Sequence, residues 1–300
     1  MEIYHEISSN KIKTWLIMFL FVVFITTIVY VFSKALGYGL SLAGIALIIA
    51  GLTSFGSYYY SDKLVLATTG AKEIQKTDNP ELFRIVENLA IGDGLPTPKI
   101  YILNDPSPNA FATGRDPKHA VVCVTSGILE KLNKIELEGV IAHELSHVKN
   151  YDTRLMGIIT ILVGFVAIAA NFFMRSLWFG GERRDRDNEG GQLQLIFLII
   201  GIVFAILSPI VATLIQLSVS RKREYLADAS GALLTRYPEG LASALEKISA
   251  DSEPVRSASN ANAHLFIVNP FKGKNSKAWF SGLFDTHPPI EERIKILQSM

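Results

Sequence analysis

Cysteine is almost absent from this sequence. Its 300 residues include one, Cys123, inside the apolar run "HAVVCVTSG". A lone thiol excludes an intramolecular disulfide, and its strand-like setting marks it as a small buried hydrophobe rather than a nucleophile. Charge is scarce too. Charged residues make up 19% of the chain, below the roughly one quarter usual in soluble proteins. The signs nearly cancel, 29 Lys and Arg against 28 Asp and Glu, for a net charge of +1. That balance removes the electrostatic reason to expect a nucleic-acid partner. Internal repeats are missing as well. What fills the chain is apolar: 49% hydrophobic residues and a mean hydropathy of +0.29. Such numbers describe a membrane protein with a soluble part.

Four stretches are long and apolar enough to span a bilayer, which takes about 20 residues of helix. They cover 14–32, 35–60, 155–174 and 190–220, the last with its helical core at about 193–219. The second is rich in small residues that permit close helix packing, and Pro209 is placed to kink the fourth. The first run exceeds the h-region of about 7–15 residues of a signal peptide and no small-x-small site follows it, so it reads as an uncleaved anchor. Lys and Arg near the membrane ends set orientation. Lys11 and Lys13 precede the first span, and Lys63, Lys72, Lys76, Lys149 and Arg154 flank the segment between the second and third. Arg221, Lys222 and Arg223 follow the fourth. Residues 61–154 and 221–300 are therefore expected on the cytoplasmic side, together with the N-terminus. The loop with Arg175, Arg183, Arg184 and Arg186 opposes this order, so spans three and four either cross fully or form a shallow hairpin.

The soluble pieces read as a mainly α unit with a small β-sheet. Asn79 and Pro80 open a helix that stops at Gly92. "KIYIL" (99–103) and "AVVCVTSG" (120–127) have strand character, and "PNAFATG" (108–114) between them suggests a third, edge-like strand. Asn133 and Glu136 have the spacing of a capping box, which starts the helix "NKIELEGVIAHELSHVKN". A further helix is expected at about 240–250, then a long polar loop over 251–282, then a terminal helix with Pro288 and Pro289 in its first turn.

The chemistry concentrates in "AHELSH". On a helix, His143 and His147 project from one face a turn apart and can share a metal ion. Glu144 then stands beside the ion, where it can take a proton from a water that the ion acidifies. With six His and seventeen Glu in the chain, this pattern would arise by chance only about 0.007 times. The positions where metzincins carry Gly and His hold Asn150 and Thr153, which excludes that class. A catalytic zinc needs a third ligand. Glu224 in "EYLAD" is one candidate, with Asp228 a turn later to orient a ligand histidine. His264 and His287 are rivals that lack such a helical partner.

Taken together, "AHELSH", "EYLAD", "NAFATG" and "THPPIEERI" resemble the HtpX family of membrane zinc proteases, relatives of the CAAX prenyl proteases. The resemblance implies a gluzincin-like fold with four transmembrane helices. It implies one Zn2+ held by His143, His147 and Glu224, Glu144 as catalytic base, and Asp228 behind the ligands. Asn109, Ala110 and Phe111 would belong to a strand that pairs with the substrate main chain. His287 and Arg293 would lie near the site, either donating to the oxyanion or bracing the helices. The implied location is a prokaryotic-type cell membrane with the site facing the cytoplasm. The implied partners are the lipid bilayer and misfolded membrane-protein substrates. Two alternatives stand: a CAAX-type protease of prenylated C-termini, and a non-catalytic membrane scaffold with structural zinc. If the helices run on unbroken, Glu224 lies about 7.5 Å past the fourth span and His147 about 12 Å before the third.

Overall fold

Three long helices carry most of the apolar sequence. In the computed structural model, which describes residues 2–35, 41–180, 221–259, 261–271 and 288–300, these are α1 (Glu2–Ala35), α2 (Ser41–Thr69) and α6 (Asp152–Gly180). α1 and α6 contain the first and third predicted spans, 14–32 and 155–174, and α2 overlaps the second, 35–60, but runs on to Thr69; residues 36–40 and the fourth span, over 190–220, lie outside the described residues. Among the described residues, one stretch, Ile7–Thr27 in α1, is long and apolar enough to cross a membrane. The exposed large apolar residues of α1 fall at Ile12, Trp15, Leu16, Phe19, Leu20 and Val23, one stripe at helical spacing. α2 shows a similar stripe at Ile45, Ile48, Ile49, Leu52 and Phe55, while its buried side carries Ala46, Ala50, Ser54, Ser57 and Ser61. In α2, large apolar groups outward and small ones inward is the reverse of a water-soluble helix, whereas α1 also buries Ile17, Met18 and Phe21.

The sheet has the order β1-β2-β4-β3, from β1 (Lys72–Glu73), β2 (Lys99–Leu103), β3 (Ala110–Thr113) and β4 (Val121–Thr125). β2 and β4 run parallel and the outer pairings are antiparallel. β4 is buried along its whole length because both faces are covered. Val122 and Val124 meet the core formed with α3 (Pro80–Gly92) and α5 (Lys134–Lys149); Val121 and Cys123 meet the other face with Val65, Phe111 and Phe266. Burial pushes the Cys123 thiol well above the ordinary thiol range, which keeps it unreactive. β3 lies at the edge, as expected from "NAFATG".

The local signals behave as their chemistry requires. Asn79 caps α3 by accepting from Leu82 N–H at 3.0 Å. Asn133 and Glu136 close the capping box of α5 with bonds of 3.0 and 2.9 Å. After the short α4 (Ser126–Lys131), α5 packs against α7 (Arg221–Thr235) and α8 (Pro238–Ala250). Gly231 makes the first of these packings possible: a Cβ there would sit 3.1 Å from the His143 backbone nitrogen.

Three expectations need correction. α5 does not run unbroken into α6. It ends at Lys149, and Tyr151 takes a left-handed φ of 61° before α6 begins at Asp152, so the 12 Å estimate loses its basis. Pro288 and Pro289 precede the last helix, α9 (Ile290–Gln298), instead of sitting in its first turn, since proline restricts the residue before it. The 251–282 segment is irregular where described apart from one 3-10 turn at Ala263–Leu265, yet Val255, Leu265, Phe266 and Ile267 are buried with the residues of the sheet.

Candidate metal centre

Helix α5 contributes His143 and His147, and α7 contributes Glu224. Their nearest ligand atoms all lie within 4.8 Å of one another, and all three residues are buried. Each histidine has its tautomer set from behind. His143 Nδ1 faces Asp228 Oδ1 at 2.9 Å, and His147 Nδ1 faces Asp152 Oδ2 at 2.9 Å. A carboxylate only accepts, so both Nδ1 atoms carry the proton and both Nε2 lone pairs point into the site. Those two Nε2 atoms are 3.1 Å apart, with the Glu224 oxygens at 3.8 Å from His143 and 3.5 Å from His147. Two converging lone pairs beside a buried carboxylate call for a cation. The set matches the two-His, one-carboxylate arrangement of a catalytic zinc that keeps a position open.

The charges respond to this crowding. Burial pushes His143 below the usual imidazole range, and Arg293 and His147 add to it against the pull of Asp228. His147 is also buried, but the hydrogen bond to Asp152 and the charges of Glu224, Asp152 and Glu144 raise it to about 9. Burial lifts Glu144 to about 7, with Glu224 adding to it and His147, the Ala112 backbone N–H and Arg293 opposing. Asp228 is buried as well, yet Arg293 and His143 hold it at about 2. Arg293 clamps Asp228 with Nε to Oδ2 at 2.8 Å and Nη2 to Oδ1 at 2.7 Å, and its Nη1 donates to the Ile267 carbonyl at 3.1 Å.

The edge strand meets this site at Ala112, whose N–H bonds Glu144. Asn109 and Phe111 face elsewhere. Asn109 accepts from Thr125 N–H and donates through Nδ2 to the Val268 carbonyl at 3.0 Å; Phe111 packs edge-on against Phe266. The Ala110 carbonyl accepts from Ile267 N–H at 3.0 Å. His264 is buried beside Thr160 and the Met156 carbonyl, outside the three-ligand group. His287 lies outside the described residues.

Residues 76–300 match the family model described as Peptidase family M48. The chain belongs to peptidase family M48. It is therefore a metalloprotease, a hydrolase of peptide bonds. Among its relatives in this family, the Protease HtpX homolog of Dictyoglomus thermophilum is 46% identical over 297 residues, covering 99% of this chain and 94% of the relative. That of Lactobacillus acidophilus is 48% identical over 306 residues, covering 99% and 100%. The fold is also that of S. mikatae Ste24p, at a TM-score of 0.50 and 16% identity over 95% of this chain and 67% of the other.

Sequence reasoning on this M48 chain missed Asp152, Arg223, Asn10 and Ala112. One signal was available. Asp152 is the first acidic residue after His147 and begins a helix, where a carboxylate is favoured and can turn back toward the preceding turn. Asn10, 142 residues away in sequence, left no local trace.

Proposed function

We propose that this chain is a zinc-dependent endopeptidase of the membrane that cuts misfolded or damaged membrane proteins on the cytoplasmic side. The observation that carries the reading is the convergence of His143 Nε2, His147 Nε2 and Glu224 beside Glu144. Zinc fits this donor set, one ion per chain, with His143, His147 and Glu224 as ligands. When bound, it supplies the Lewis acidity that acidifies water and polarises a scissile carbonyl.

Glu144 is the base in this reading. Its carboxyl, raised to about 7 by burial, is matched to taking a proton from water near neutral pH and returning it to the leaving amine. Arg293 acts as a brace rather than an oxyanion donor, because its guanidinium is engaged by Asp228 and the Ile267 carbonyl. The outer edge of β3 at Ala112 is the place for the substrate main chain, next to the base. A strand laid along it would have to replace the Ile267 bond to Ala110.

The membrane setting, with four spans, is supported by the outward apolar stripes of α1 and α2 and by α6 beginning three residues after α5 ends. Cations over aromatic rings, Lys11 and Arg154 over Tyr151 and Arg115 over Tyr59, fit a place at the membrane interface and support this reading. The location follows as a multi-pass protein of a prokaryotic-type cell membrane. The test compares zinc content and cleavage of an unfolded membrane-protein reporter in wild type, Glu144→Gln and Glu224→Gln. Glu144→Gln is expected to keep its zinc and lose activity, whereas Glu224→Gln loses much of both. Full activity in Glu144→Gln would sink the mechanism. Cleavage that ignores whether the reporter is tethered to a membrane would sink the substrate assignment, and selective cutting of prenylated C-termini would favour the CAAX alternative.

A further inference from the structure

His147 is held through a chain of buried polar groups that ends on the first helix. Asp152 Oδ2 accepts from His147 Nδ1, and Asp152 Oδ1 accepts from Arg223 Nη1 at 3.0 Å and from Asn10 Nδ2 at 2.7 Å. The same Asn10 amide donates to the Asn150 carbonyl at 2.9 Å, and its oxygen accepts from Arg223 Nη1 at 3.2 Å. Asn10, Asp152 and Arg223 are all buried. The amide orientation is forced: turned over, its oxygen would face the Asp152 carboxylate and the Asn150 carbonyl, two acceptors. Only a side chain with both donors and an acceptor can serve these three neighbours at once. An aspartate would set two carboxylates against each other, and an apolar residue would leave Asn150 O and part of Asp152 without a donor.

We infer that Asn10 is a positioning residue for the metal centre, acting on His147 through Asp152. This rests on the reading of His147 as a metal ligand. A polar residue buried on a helix that is otherwise apolar outward is costly to keep; both of its donated bonds go to the turn that joins α5 to α6, and the bond it accepts comes from Arg223, which also holds Asp152. Residues that orient a ligand histidine from behind typically change metal affinity by about 10–100-fold when lost. The first helix thereby does more than anchor: its placement fixes one of the two imidazoles.

The experiment uses the full-length chain in detergent, with zinc affinity measured by competition against a chelator and the site geometry by the visible spectrum of the cobalt(II) form. Asn10→Leu, close in shape to asparagine, is expected to weaken zinc binding about 10–100-fold and to alter the cobalt spectrum. Adding it to Asp152→Asn is expected to cost little more than Asp152→Asn alone, since both act along one path. Thr14→Val serves as the packing control, because the Thr14 hydroxyl bonds the Asn10 carbonyl from the next turn of the same helix. Wild-type zinc affinity in Asn10→Leu would overturn the inference, and so would an equal loss in Thr14→Val. Should Asn10→Leu fail to fold, Asn10→Ala carries the same expectation and is overturned by the same result. His147→Ala separates the two levels. If it binds zinc normally, the ligand reading has failed; if it loses zinc while Asn10→Leu does not, only the present inference has.

Discussion

The two histidines of α5 are held alike, each by its own carboxylate and arginine. Behind His143 stand Asp228 and Arg293; behind His147 stand Asp152, Arg223 and Asn10. Each brace is a carboxylate that accepts the imidazole N–H and an arginine that offsets the carboxylate. The origins overlap only in part. Asp228 and Arg293 belong to α7 and α9; Arg223 belongs to α7 as well, whereas Asp152 and Asn10 belong to the near ends of α6 and α1. Glu224 meets both histidines. An ion at this point would be held by α5 and α7 and braced from α1, α6 and α9, so its geometry would report on how these helices are set together.

The sharpest way to break that symmetry is to neutralise each carboxylate in turn. Asp228→Asn leaves Arg293, wholly buried, without its clamp, and removing one partner of such a pair typically costs about 3–5 kcal/mol. Unfolding in denaturant should show that loss along with weaker zinc binding. Asp152→Asn should cost less in stability, because Arg223 keeps the Asn10 oxygen, while weakening zinc about 10–100-fold. Equal stability losses would mean that the braces do not differ as described. A smaller effect is expected from Gly231→Ala, which presses α7 against the His143 backbone and should cost about 1–3 kcal/mol in melting experiments. Its cobalt spectrum should change through His143 alone, so its effects should add to those of Asn10→Leu.

The smallest effect concerns the far end of α5. Burial raises the Glu136 carboxyl, but hydrogen bonds from Lys247, Ser243 and the Asn133 N–H outweigh it and hold the group below its ordinary range. A lowered folded value means that Glu136 adds stability above about pH 4.3, its unfolded value, and that this share disappears as pH falls through the folded one. The stability gap between wild type and Glu136→Gln should therefore narrow on acidification. A gap that stays constant would show that the capping box at this end does not depend on the charge.

What was legible in the sequence was what lies along one helix or strand. The i, i+4 spacing of His143 and His147, the capping box at Asn133, the Glu224–Asp228 pair and the strand at 99–103 all depend on neighbours within a turn or two. The brace of His147 depends on a contact between α1 and the start of α6, which no local pattern announces. On the edge strand the motif pointed to Asn109, Ala110 and Phe111, while the residue against Glu144 is Ala112. Period-2 alternation sends 109 and 111 toward β4, and which edge stays open follows from sheet order, a tertiary fact. The 251–271 stretch looked like an exposed loop by composition because its few large apolar residues, Leu265 to Val268, are diluted among Ser and Asn; those few do the packing.

The contact between Arg293 and His143 spans 150 residues. A ribosome adding roughly 5–20 residues each second therefore finishes the last piece of this centre about 8–30 s after the first. In that interval α6 and everything up to α8 have been made. A growing chain would carry the two histidines through synthesis without Glu224, then without Arg293. The three-residue group of α5 and α7, and then the brace of His143, are thus completed only after the helices between them have been made.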